Sequence, residues 1–227
     1  MSNPILNHLG IIIDGNRRWA KEHGQLSVFG HKKGHENFLK FGDWCLARGI
    51  KVLTVWAFST ENWKRPKKEI DYLMKLLRLS LKKDIKSLHK KEIKIQVLGR
   101  LHELPRDIQK ACQEAMALTK NNKKATLNIA LNYGGQAEII DAINKIIKDK
   151  VNKVTLEIFQ KYLYDPEMSP PDLIIRTSGE QRTSGFLLWQ SPYSELYFSK
   201  ALWPDFSEKD LDEALADYQR RQRRFGK

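Results

Sequence analysis

The chain has little cysteine: two residues in 227, Cys45 and Cys112, without metal-ligand spacing. A disulfide framework and a thiolate zinc site are excluded, and buried free thiols in a reducing cytoplasm are expected. Long hydrophobic runs are absent too, the longest falling far short of the ~20 residues that span a bilayer. No basic region precedes an apolar stretch at the start, so no signal peptide is expected. There is no Gly/Pro/Ser-rich linker and no repeat, which makes residues 1–227 most simply one domain. Gly-x-Gly-x-x-Gly, the P-loop and His-Glu-x-x-His are missing, which disfavours the nucleotide enzymes and zinc peptidases that use them. Acidic residues number 27 against 40 basic ones. The resulting net charge of +13 favours nucleic acid, acidic lipid or phosphorylated small molecules as partners.

What is present is an alternation of strand-like and helix-period segments. Strand-like runs lie at residues 9–13, 51–58, 93–98, 126–131 and 173–175, with a weaker one at 196–198. Helical apolar stripes join Phe38, Phe41 and Cys45, and then Ile70, Leu73, Leu77 and Leu81. This order implies an α/β fold: a mostly parallel sheet flanked by helices. The helix from about residue 69 to 89 carries a second apolar row, Tyr72, Leu76 and Leu79. A surface helix needs one apolar face. A helix wedged between the sheet and a neighbour explains the second row, and a wall of a cavity for a long hydrocarbon is the functional alternative.

Three loops follow strands. The first, after Ile11-Ile-Ile, reads Asp14-Gly-Asn-Arg17-Arg18-Trp19. An Asp-Gly turn with solvated arginines accounts for it in isolation. The second follows Leu173-Ile-Ile and supplies Arg176, Arg182 and Ser184 from a Gly/Ser/Thr-rich stretch. Ligands of open α/β sheets bind beyond the carboxyl ends of the strands, and guanidinium forks suit diphosphate. Together the two loops make two anion sites on one rim, with Asp14 placed for a metal-bound phosphate. The third, Ser59-Thr-Glu-Asn62-Trp63-Lys-Arg65-Pro66, combines an amide, a large apolar ring and a guanidinium; its plain reading is a helix lead-in. That set suits a ligand with one apolar and one phosphorylated end. His31 and His35 are four apart but lack an evident third metal ligand. The basic C-terminus, Arg220 to Lys227, reads as a solvated tail or a nucleic-acid contact, and no nucleic-acid-binding motif accompanies it.

The chain resembles the cis-prenyltransferases of the undecaprenyl diphosphate synthase (isoprenyl transferase) family nearly end to end. The blocks that carry the likeness are Ile11-Ile-Ile-Asp-Gly-Asn-Arg-Arg-Trp-Ala20, Ala57-Phe-Ser-Thr-Glu-Asn-Trp-Lys-Arg-Pro66, Leu127-Asn-Ile-Ala-Leu-Asn-Tyr-Gly-Gly135, Ile175-Arg-Thr-Ser-Gly-Glu-Gln-Arg182, Tyr193-Ser-Glu-Leu-Tyr-Phe198, Leu202-Trp-Pro-Asp-Phe206 and Arg223-Arg-Phe-Gly226. The resemblance implies a six-stranded sheet, a hydrophobic tunnel, a homodimer, and addition of isopentenyl diphosphate to an allylic diphosphate such as farnesyl diphosphate. Each new double bond would be cis, and the product would be of medium length, near eleven isoprene units.

The same resemblance assigns roles. Asp14 and Asn62 would be catalytic, and Asp14 and Glu195 would hold Mg²⁺. Gly15, Asn16, Arg17, Arg18, Trp19 and His31, with Ser59, Thr60, Glu61, Trp63 and Arg65, would hold the allylic substrate. Arg176, Arg182, Thr183 and Ser184 would hold isopentenyl diphosphate, while Arg224 and Gly226 would reach the partner's site. Ala57, Leu76, Leu79 and Leu81 would line the tunnel. Without the resemblance, Glu195 reads as the polar end of a strand. Three positions depart from the family pattern: Ser27 replaces a basic residue, Ser178 a glycine and Gly185 an asparagine. The Asp-Asp-x-x-Asp motif of trans-prenyltransferases is absent. A catalytically silent subunit and a nucleic-acid-binding module are the competing readings. The enzyme reading implies no nucleic acid and a cytoplasmic protein with peripheral membrane contact for product release.

Overall fold

The computed structural model describes residues 6–221. Strands β1 (His8–Ile12), β2 (Val52–Ser59), β3 (Ile93–Leu98), β4 (Ala125–Tyr133), β5 (Leu173–Arg176) and β6 (Glu195–Phe198) form one sheet. Their order is β3-β4-β2-β1-β5-β6 and every pairing is parallel. All six expected runs are strands. Among the described residues seven α-helices accompany them: α1 (Asn16–Glu22), α2 (Ser27–Ala47), α3 (Lys67–Lys90), α4 (Arg106–Thr119), α5 (Gly135–Lys148), α6 (Leu156–Gln160) and α7 (Glu208–Arg220).

Both faces of the sheet are covered, which is why β1 is buried at every position and reads as an unbroken apolar run. On one face Leu9, Ile11, Leu53 and Val55 pack with Phe41 of α2 and Trp203, Leu211 and Tyr218 toward the C-terminus. On the other, Ile12 and Ile174 meet Phe186 and Leu187. Cys45 and Cys112 are buried and free, as expected. A polar chain crosses this apolar interior. His8 Nε2 lies 2.7 Å from Thr54 Oγ1, which accepts from Asn128 Nδ2 at 2.9 Å. His8 Nδ1 lies 2.6 Å from the Ser169 carbonyl. Burial pushes the His8 pKa down to about 4, so the ring is neutral, donating to Ser169 and accepting from Thr54.

The connection after β1 runs to β2 on one side, whereas β5 and β6 lie on the other. The β1/β5 seam is therefore a switch point, where the outgoing loops part and leave a crevice. Two glycines shape its floor. Gly15, at φ 109°, takes the left-handed turn between β1 and α1. Gly34 lets α2 approach closely: a Cβ there would lie 2.1 Å from Asn16 Oδ1. The start of α1 is thus fixed at the mouth of the crevice.

Candidate active site

A cleft of ≈ 1040 Å³ opens at the carboxyl ends of β1, β2 and β5. The β1 loop contributes Asp14, Gly15, Asn16, Arg17 and Arg18; the segment after β2 contributes Ser59, Glu61, Asn62 and Arg65. Arg176, Ser184 and His31 add to the polar wall, as do Lys21, Gln25 and Ser27. The two arginine loops, far apart in sequence, do meet on one rim.

Arg176 is the organising cation. Its guanidinium is almost wholly buried and donates to Asp14 Oδ2 at 2.9 Å, Ser184 Oγ at 2.8 Å and the Arg182 carbonyl at 2.7 Å. Three acceptors from two loops engage both terminal nitrogens of one planar fork, a role a point-charge lysine could not fill, while its buried Nε has no partner among the described residues. Arg18 donates to the Ser178 carbonyl at 2.9 Å and to the Ser178 hydroxyl, and lies 3.8 Å from Asp14 Oδ2. Ser178 takes a left-handed backbone at φ 78°, where glycine is strain-free. The serine at this position therefore gives Arg18 an anchor at some conformational cost. Glu180, unassigned by the sequence reading, sits between Arg18 at 3.5 Å and Arg182, with which it pairs.

Asn62 closes its own turn: the Ser59 N–H donates to Asn62 Oδ1 at 3.1 Å. Its carbonyl oxygen is thereby engaged and its amide N–H₂ is left as a donor to the cleft.

A buried carboxylate was missed. Glu69 of α3 is 5% exposed and ties three cleft residues together. It lies 3.0 Å from His31 Nε2, accepts from Arg65 at 3.1 Å and is 3.7 Å from Arg17. Arg65 is extended and precedes the start of α3 at Lys67, so the spacing of four gave no helical-pair signal for Glu69. Burial, then the nearby Arg65 and Arg17 charges, lower the His31 pKa despite Glu69. His31 is accordingly a neutral donor to Glu69.

The cleft continues inward as an apolar cavity of ≈ 130 Å³ between the sheet, α2 and α3. Ile13, Asn16, His31, Ala57 and Leu73 line both spaces, so one passes into the other. Leu76 and Leu81 line the cavity, as does Ala57. Leu79 does not: it is 45% exposed on the outer side of α3, and the expectation for it is corrected. α3 turns Leu76 inward and Leu79 outward although both belong to the same apparent row.

Other expected residues stand off the cleft wall. Trp19 is a core residue, its Nε1 donating to Asp205 at 2.8 Å and its ring stacked on His23. Trp63 donates to Asn132 at 2.8 Å and packs edge-on against Phe58. The Thr60 hydroxyl bonds Glu61, Arg182 is exposed beside Glu180, and Thr183 is not among the lining residues. Glu195 begins β6 beside Leu173, at the opposite end of the sheet from Asp14, and accepts from Arg221 at 2.9 Å. One chain therefore does not bring Asp14 and Glu195 to a common ion. Arg224 and Gly226 lie outside the described residues. Among the described residues no three His, Cys, Asp or Glu side chains cluster as a metal cage. Of the two cleft carboxylates, Asp14 and Glu61, Asp14 stands at the β1/β5 seam and fits an ion completed by phosphate oxygens and water, the manner in which Mg²⁺ is ordinarily held.

The family model described as "Putative undecaprenyl diphosphate synthase" matches residues 12–226. The chain belongs to this prenyltransferase family. It is 50% identical over its whole length to an isoprenyl transferase of Fusobacterium nucleatum, 98% of which is covered. It is 46% identical, over 99% of its length and 96% of the relative, to the farnesyl-diphosphate-specific ditrans,polycis-undecaprenyl-diphosphate synthase of Pasteurella multocida. Two solved structures share the fold. Lavandulyl diphosphate synthase from Lavandula x intermedia, in complex with dimethylallyl diphosphate, has a TM-score of 0.94 at 38% identity, covering 98% of this chain and 99% of that one. A "probable undecaprenyl diphosphate synthase" from Campylobacter jejuni has a TM-score of 0.83 at 32% identity, with the same coverages. The cis-prenyltransferase resemblance, the six-stranded α/β fold and membership among the transferases are thus borne out. No helix among the described residues is long and apolar enough to cross a membrane.

Proposed function

We propose that this protein condenses isopentenyl diphosphate onto an allylic diphosphate, farnesyl diphosphate foremost, to make a Z-polyprenyl diphosphate of undecaprenyl length. The observation that carries this reading is the continuity of a guanidinium-lined cleft with an apolar cavity: one ligand with a diphosphate head and a hydrocarbon tail matches both. The polar wall alone would suit many phosphates, and the apolar cavity alone many lipids.

Breaking the allylic C–O bond places negative charge on the departing diphosphate, so donors aimed there stabilise the transition state. Arg18, Arg65 and the first-turn N–H groups of α1, which have no intrahelical acceptor, suit this role. Arg176 and Ser184, with Arg182 reaching in from the exposed loop, suit the second diphosphate. Asn62 orients substrate as a donor and cannot be the base, because its oxygen is engaged and a neutral amide binds protons poorly. The proton then leaves to diphosphate or water. Mg²⁺, when bound, adds charge stabilisation at phosphate oxygens, and Asp14 is the residue placed to hold it. Glu195 could join such a shell only from another chain or after movement. The apolar walls of Leu73, Leu77 and Leu81 keep water from the allylic centre.

A homodimer belongs to this reading. It is supported by Ile140, Ile143 and Ile147, exposed at helical spacing on α5, with exposed Leu188 and Tyr193. Arg224 and Gly226 would then serve the partner's isopentenyl site. Peripheral membrane contact would serve product release. The test is incorporation of labelled isopentenyl diphosphate into butanol-soluble product: it should require farnesyl diphosphate and Mg²⁺, and no incorporation under those conditions would contradict the proposal.

A further inference from the structure

Below the residues it shares with the cleft, the first cavity is apolar except at one level. His35 lies one turn beyond His31 on α2, and Ser80 and Asp84 lie one turn apart on α3 facing it. His35 Nε2 stands 3.2 Å from Asp84 Oδ2, and the Ser80 hydroxyl donates to the same oxygen at 2.6 Å. All three line the first cavity, and none lines the diphosphate cleft. A second cavity of ≈ 280 Å³ lies deeper, toward the amino ends of the strands. Phe38, Asp84, Leu88 and Leu127 line both cavities, and Asp84 alone of these is charged. At 1.5 Å per residue along α3, Asp84 is ~16 Å below Leu73 at the mouth.

We infer that Ser80, Asp84 and His35 form a chain-length determinant: a polar band that a growing hydrocarbon must strip of water to pass from the first cavity to the second. The inference rests on the chain-elongation reading above. Both contacts of Asp84 fall on Oδ2. Oδ1 has no hydrogen-bond partner among the described residues, and the side chain is 18% exposed, so water satisfies it. A prenyl tip filling the first cavity gains by leaving water. A tip sliding over Asp84 removes water from a carboxylate oxygen and offers no donor in return, which is costly. The gain from each further unit therefore falls at this depth. The band acts through polarity, whereas Leu76 and Leu81 act through bulk.

The test replaces polarity without widening the passage: Asp84→Leu with His35→Leu, set against Asp84→Asn, which keeps a polar surface. Folding is verified by circular dichroism and thermal melting. If the leucine pair does not fold, Asp84→Leu alone serves as the apolar variant. Two quantities are measured, the product-length distribution and the affinity for n-alkyl diphosphates of increasing length. In the wild type and in Asp84→Asn, affinity should climb by about fourfold per methylene and then level off. In the apolar variant it should keep climbing, and products should lengthen by at least one unit. Identical plateaus and product lengths in wild type and folded apolar variant would overturn the inference. A wild type that makes no prenyl product would refute the elongation reading, while the alkyl diphosphate series would still decide whether the band exists.

Discussion

Asp14 and Arg176, 162 residues apart, meet at 2.9 Å across the β1/β5 seam. The contact joins the loop that begins α1 to the loop that holds Ser184, so the two anion sites share a hinge pin. Asp14→Ala should lower turnover by roughly 100- to 1000-fold or more, the scale of losing one preorganised electrostatic group. Steady-state turnover, with a melting curve to confirm folding, checks this. Near-wild-type turnover would remove Asp14 from the chemistry.

Arg176 and Arg182 should respond differently to lysine. Arg176 is buried with three acceptors, whereas Arg182 is exposed beside Glu180. Arg176→Lys loses the fork and should raise the Michaelis constant for isopentenyl diphosphate by roughly tenfold or more, the equivalent of one lost charged hydrogen bond. It should also lower the melting temperature. Arg182→Lys should leave the melting temperature alone and raise the same constant less. A rise confined to the allylic substrate would reverse the assignment.

Glu69 is predicted to hold His31, Arg65 and Arg17 in place. Glu69→Ala strands the buried His31 and the half-buried Arg65 and should cost about 1–3 kcal/mol of stability, the scale for leaving buried hydrogen-bonding groups unpaired. Denaturant titration measures it, and the allylic Michaelis constant should rise alongside. Glu69→Gln keeps an acceptor and should recover most of the stability but less of the binding. No effect from either variant would show the cluster to be idle.

The tunnel wall separates three leucines. Leu76→Ala and Leu81→Ala open space toward the cavity and should lengthen products, Leu81→Ala at a stability cost of about 2–5 kcal/mol. Leu79→Ala should change neither, because that side chain faces outward. Chromatographic sizing of the products decides between them.

Stability should also depend on pH through His8. Unfolded, this ring takes a proton near its ordinary pKa of 6.5; folded, only near 4. Between those values the unfolded state binds more protons, so stability is fully present above about pH 6.5 and falls as pH drops. The loss approaches roughly 3 kcal/mol by pH 4. Denaturant midpoints across this window should slope down for the wild type and less steeply for a folded His8→Gln variant.

Much of this was legible in the chain because the interior imposes strong patterns. β1 and β5 announce themselves as apolar runs buried at every position, whereas β6 has no β-branched residue and reads weakly; Asp14 and Arg176 stand at strand ends, with Ser184 in the loop after β5. Glu69 was not legible, because a glutamate at a helix start is ordinarily solvated, and only the fold carries His31 over it. Trp19 was misread as a cleft residue since aromatic rings serve cores and ligands alike, and its Asp205 partner lies far along the chain. Leu79 failed because a broad apolar stripe does not reveal where the neighbouring elements stop. Glu195 reads alone as a strand end, which is where it sits; its assignment with Asp14 came from resemblance, and one chain keeps them apart.

The most direct test of the whole account is the product itself. Wild-type protein incubated with farnesyl diphosphate, isopentenyl diphosphate and Mg²⁺ should yield a polyprenyl diphosphate near eleven units, its new double bonds cis by nuclear magnetic resonance. Trans double bonds throughout, or a product that never extends beyond the primer, would contradict it.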